Sequence, residues 1–98
     1  MLLLDRANNV IGYFKIAEGG IDATIMDERL IMSAALNVLA TSIILCHNHP
    51  SGNLKPSDAD KLLTQKIKFA GDIMKIILLD HIIVTADGYF SFADEGIL

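Results

Sequence analysis

The sequence has a single cysteine, so no intrachain disulfide can form. That suits a reducing compartment, and the cytoplasm is the expected location. No run approaches the roughly 20 apolar residues that span a bilayer. The start, Met1-Leu2-Leu3-Leu4-Asp5, has three leucines before an acid and no basic flank, too little for a signal peptide. No membrane partner is expected. Positive charge is also scarce: 8 Lys and Arg against 12 Asp and Glu give a net charge of −4 and a pI of about 5.1. Nucleic-acid binding is dominated by Lys and Arg on phosphate, so strong direct binding to DNA or RNA is not expected. The basic residues are scattered except for Lys61, Lys66 and Lys68, which read as the solvated face of one helix. There is no internal repeat, low-complexity tract or linker.

What is present is enough for one domain over residues 1–98. Apolar residues make up 52% of the chain, with a mean hydropathy of +0.45, enough to fill a core. Leu2-Leu3-Leu4 reads as a short buried strand and residues 10–17 as a second, so that 2–17 form a hairpin broken by Glu18-Gly19-Gly20. Residues 27–40 read as a helix with Asp27 as N-cap; Leu30, Ile31, Ala34, Ala35, Val38 and Leu39 share one face. Residues 42–47 are continuously apolar and suit a central strand covered on both faces. A second helix follows Ser57, weakened near its end by Gly71. Residues 75–85 are a long strand or a bent pair, Asp87-Gly88 signals a hairpin, and residues 89–92 return as the last strand. The class is α/β, with element order ββαβαββ and helices on the faces of a sheet. The first strand lies at the terminus, so it is expected at a sheet edge, where oligomerisation by edge pairing is open to it.

One stretch carries chemistry: Leu45-Cys46-His47-Asn48-His49-Pro50-Ser51-Gly52, running on to Ser57-Asp58-Ala59-Asp60. Side chains alternate along a strand, so His47 and His49 share a face while Cys46 faces away. Pro50, Gly52 and Pro56 bend the chain so that Asp60 returns over the strand end. Two imidazoles and a carboxylate with an open fourth position make a catalytic type of zinc site. A plainer reading stands beside it: Ser57-x-x-Asp60 also resembles a capping box, and an acid in a first helical turn is favoured by the helix dipole alone.

The segment His47-x-His49-Pro50 … Ser57-x-x-Asp60 resembles the signature of JAMM (MPN+) zinc metallopeptidase-like domains, and its His-Asn-His-Pro-Ser-Gly form is similar to the RadC family, long labelled as DNA-repair proteins. The likeness continues through "LDRANNVIG", "LLDHIIV" and "YFSFADEG". It implies a three-layer, cytidine-deaminase-like JAMM/MPN fold, Zn2+ as cofactor, His47, His49 and Asp60 as metal ligands, and Ser57 as a catalytic residue holding substrate or oxyanion near the metal. It implies hydrolysis of an amide or isopeptide bond in a peptide or protein substrate. The alternatives are a catalytically silent zinc- or protein-binding module, or a DNA-repair accessory acting through a protein partner. The family's general-base glutamate falls ahead of the Leu2-Leu3-Leu4 strand and has no counterpart in this sequence. The expectation is therefore a domain truncated at its N-terminal edge, with Glu18, Glu28 and Glu95 as poor substitutes.

His81 reads as a hydrogen-bonded structural histidine, with support of the metal ligands as the functional alternative. Cys46 reads as an inert core residue. Tyr89, Phe90 and Phe92 read as sheet packing.

Overall fold

The computed structural model describes residues 1–16 and 27–98. The break at Glu18-Gly19-Gly20 lies outside them. Among the described residues the elements are β1 (Leu2–Leu4), β2 (Val10–Tyr13), α1 (Glu28–Asn37), β3 (Ser42–Asn48), α2 (Asp58–Met74), β4 (Ile77–Thr85) and β5 (Gly88–Ser91). The strands form one mixed sheet in the order β2-β1-β3-β4-β5. Among the described strands only the β3–β4 pair is parallel, and α2 is its crossover.

The expected edge position of β1 is corrected here. β1 pairs antiparallel with β2 on one side and with β3 on the other, so the sheet edges are β2 and β5. The hairpin folds outward from β1, whose other side is left to take the strand that follows α1.

Both helices lie on one face of the sheet. Ile31 and Ala35 of α1, Leu63 and Ile67 of α2, and Leu3, Ile43, Leu45 and Leu78 of the sheet share a single core. The described residues thus build two layers, a sheet and a helical layer. β3 is consequently not covered on both faces: Ile43, Leu45 and His47 are buried, while Cys46 and Asn48 between and beyond them are exposed. Cys46 is a free, exposed thiol rather than a core residue.

Helix ends follow local chemistry. Asp27 caps α1, its carboxylate accepting the Arg29 N–H at 2.8 Å. The helix stops before the expected residue 40 because Leu39 turns left-handed (φ 53°) and the Ala40 N–H closes on the Ala35 carbonyl. α2 runs through Gly71 to Met74. Glycine is required at that position, since a Cβ would lie 2.2 Å from the Ile76 carbonyl oxygen.

A break in register sits opposite Ile43 and Ile44. Ile43 faces Leu78, but Ile44 faces Asp80, so Leu79 is an extra residue in β4. A one-residue bulge reverses which side chains point inward. Leu78 faces the helices before it; His81 and Ile83 do so after it, both fully buried.

Candidate metal centre

The inward face of β3 ends in His47. Hydrogen bonding to β4 continues one step further, with the His49 N–H donating to the Val84 carbonyl at 3.0 Å. The alternation of the strand therefore brings His49 to the same side. The chain then turns through Pro50 and Ser51, and the Gly52 N–H closes on the His49 carbonyl. Gly52 has φ 81°, a conformation that favours glycine.

The loop delivers Ser57 as the N-cap of α2. Its hydroxyl oxygen accepts the Asp60 N–H at 3.1 Å, and the Asp60 carboxylate accepts the Ser57 N–H at 2.7 Å. The capping box is fully formed, and the Asp60 carboxylate also joins a group that could hold a metal ion, so capping does not exclude the ligand reading. The same box that starts the helix aims the carboxylate at the histidines.

His47 Nε2 lies 3.1 Å from Asp60 Oδ1, His49 Nε2 lies 3.2 Å from Asp60 Oδ2, and the two Nε2 atoms are 3.0 Å apart. His47 and Asp60 are buried. The His49 side chain keeps 13% of its surface open, which makes it the exposed rim of the cluster. Among the described residues these three form the group that can hold a metal ion.

The His49 ring can be oriented from its neighbour. Its Nδ1 lies 2.7 Å from the Asn53 main-chain carbonyl, which only accepts, so Nδ1 carries the hydrogen. In the neutral ring Nε2 is then a bare lone pair. That lone pair faces a carboxylate oxygen at 3.2 Å, an arrangement compatible with a cation between them.

The electrostatics agree. Burial is the main effect on His47 and holds its pKa below the ordinary imidazole value, against the attraction of Asp60. Burial alone would raise Asp60, but the hydrogen bonds from Ser57 and the neighbouring histidines together hold it below the usual carboxylate range. The site thus keeps neutral imidazole beside ionised carboxylate, the protonation states that metal binding needs.

His81 sits behind His47. Its Nε2 is 2.9 Å from His47 Nδ1, and its Nδ1 is 2.6 Å from the Thr64 hydroxyl. Its ring stacks on Phe92 with centroids 4.7 Å apart. The Asp80 carboxylate accepts from the Ser91 hydroxyl and the Ala93 N–H, which pins the chain on both sides of Phe92. Phe90 meets Phe92 edge-on, whereas Tyr89 is 64% exposed and does not share that packing.

Thr64 escaped the sequence reading, which gave it no role on α2. Its one signal is its place four residues after Asp60, on the same helical face. Of the other carboxylates considered, Glu28 pairs with Lys66 at 3.8 Å, Glu95 is exposed beyond β5, and Glu18 lies outside the described residues.

The family profile of the RadC-like JAB domain matches residues 1–97. A UPF0758 protein of Flavobacterium johnsoniae is 52% identical over 97 residues, covering 99% of this chain and 42% of the relative. UPF0758 proteins of Porphyromonas gingivalis and Thermotoga maritima are 46% and 41% identical, covering 100% and 98% of the chain and 44% and 43% of the relatives. The chain spans less than half the length of these curated relatives.

Proposed function

The chain belongs to the RadC-like JAB domain family, and from that membership and the site geometry we propose that it is the metal-binding hydrolytic domain of a peptide- or isopeptide-cleaving protein, with zinc as the metal. The observation that carries the reading is the convergence of His47 Nε2, His49 Nε2 and the Asp60 carboxylate, with atom pairs at 3.0–3.2 Å in a largely buried pocket. The donor set fits the group: two imidazoles and one carboxylate are the three protein ligands of a catalytic zinc site. Bound there, zinc supplies Lewis acidity for hydrolysis of an amide carbonyl.

The chain's own residues have distinct tasks in this proposal. His47 and His49 enter neutral and bind through Nε2. Asp60 enters ionised and is held by the Ser57 N–H. The rim at His49 is where a substrate carbonyl approaches. Ser57 is the candidate catalytic hydroxyl: it is exposed, and because its oxygen already accepts the Asp60 N–H, its hydrogen is left to donate to a developing oxyanion.

The experiment compares the wild-type protein with His49→Ala for bound zinc, then assays a peptide and isopeptide library. About one zinc per wild-type chain is expected, with affinity in the variant lower by more than about 100-fold, beyond the 10–100-fold typical of outer residues. Equal zinc in both proteins removes the metal assignment. Zinc uptake with no cleavage, also in a protein of the relatives' full length, replaces the hydrolase reading with a zinc-dependent binding module.

A further inference from the structure

We propose that Thr64 and His81 are positioning residues that fix the tautomer of His47 and so keep its Nε2 bare toward the metal site. The inference rests on the metal-centre reading above, but the hydrogen placement follows from the chain's own donors and acceptors.

The argument starts where the direction is set by chemistry. The main-chain carbonyl of Asp60 only accepts. The Thr64 hydroxyl lies 2.7 Å from it and donates its single hydrogen there. Toward His81 Nδ1, at 2.6 Å, the Thr64 oxygen then has only lone pairs, so His81 Nδ1 must carry a hydrogen. A neutral imidazole has one N–H, so His81 Nε2 is an acceptor. It faces His47 Nδ1 at 2.9 Å, and His47 Nδ1 must therefore donate. What remains on His47 is the bare Nε2, 3.1 Å from Asp60 Oδ1 and 3.0 Å from His49 Nε2.

The opposite direction fails at its first step. If Thr64 donated to His81, its oxygen would meet the Asp60 carbonyl at 2.7 Å with no hydrogen between them. It would also force a hydrogen onto His47 Nε2, into the space a metal must occupy. Thr64, His81 and His47 are all buried, so water is poorly placed to substitute for a missing partner. Asp60 thereby acts twice: its main-chain carbonyl orders the relay, and its carboxylate binds at the far end.

The test has two arms. In the first, nitrogen-resolved imidazole spectra are recorded on the metal-free 98-residue chain, at a pH of about 8, where imidazoles are neutral. His47 and His81 are expected as Nδ1–H tautomers; a His47 carrying its hydrogen on Nε2 overturns the proposal. In the second, Zn2+ affinity is measured against a chromophoric chelator for wild type, Thr64→Val, Thr64→Ser and His81→Phe. Thr64→Val and His81→Phe are expected to weaken binding by about 10–100-fold, with Thr64→Ser near wild type. Thr64→Val should also move the hydrogen of His47 toward Nε2, a change that loose packing alone does not produce. Unchanged affinity in folded Thr64→Val overturns the proposal. If the wild-type chain takes up no zinc, the metal reading fails while the spectra still decide the tautomers. If a variant does not fold, the wild-type spectra decide alone.

Discussion

The two faces of β3 differ more than their sequence suggests. Inward, Ile43, Leu45 and His47 meet two helices and are buried. Outward, the adjacent Ile44 is half-buried and Cys46 and Asn48 are exposed. Burial turns the inward histidine into a controlled group, with Nδ1 against His81, Nε2 facing His49 and Asp60, and its pKa lowered. One residue away, Cys46 is a free, exposed thiol. The lesson is that chemistry here follows strand parity: the same strand offers a prepared site on one face and an open surface on the other.

Core substitutions give the largest expected contrast. Ile43→Ala removes a fully buried side chain and should cost about 2–5 kcal/mol, the range for such cavities. Ile44→Ala, half-buried on the outward face, should cost clearly less. Urea unfolding of both variants checks this, and equal losses would show that the outward face is also packed.

Acid comes next, because burial on the inward face lowers the pKa of His47 and His81. Burial lowers His81 from 6.5 to about 4, helped by the neighbouring His47. The unfolded chain takes up protons near 6.5 and the folded metal-free chain does not, so unfolding gains as pH falls. The stabilising contribution of neutral His81 is complete above 6.5 and lost as pH falls toward 4, by about 3 kcal/mol. His47 is lowered also and acts in the same direction. Asp60, held below its ordinary 3.8, adds its own loss only at still lower pH. Unfolding of metal-free protein at pH values across that window measures the slope; a flat profile would mean that the histidines are hydrated rather than buried.

Parity also explains what could be read in advance. His47, His49 and Asp60 were legible because a two-residue spacing on a strand and an N3 position on a helix are local rules. The outward exposure of Cys46 was not, because Ser42–Cys46 is nearly all apolar and an unbroken apolar run hides its own alternation. The bulge at Leu79 has no local signature, so His81 was left between a structural and a supporting role; it is buried and in contact with His47 and Thr64. The place of β1 between β2 and β3 is lateral order, which chain order does not fix. The α/β class survived these misses because it depends on periodicity, which each element carries by itself.

The capping box links the two regions, since it both begins α2 and aims Asp60 inward. Ser57→Ala should cost about 0.5–2 kcal/mol through the lost cap. If the hydroxyl also serves hydrolysis, activity of the folded variant should fall further than stability accounts for. Unchanged activity at full folding would limit Ser57 to capping.

The smallest effect is expected at Cys46. An exposed side chain usually contributes within about 0.5 kcal/mol, so Cys46→Ser should leave the unfolding midpoint almost unchanged. A disulfide reagent should modify the wild-type thiol in the native protein, without waiting for unfolding, and zinc should not alter that rate because the side chain points away from the ligands. A thiol that reacts only on unfolding would mean that the outward face is covered in solution, either by a second copy or by the chain itself. Comparing the rate at low and high protein concentration separates these: protection that grows with concentration indicates a second copy, and constant protection indicates the chain itself. In either case the open surface, rather than the buried histidines, would be the part of the comparison that changes.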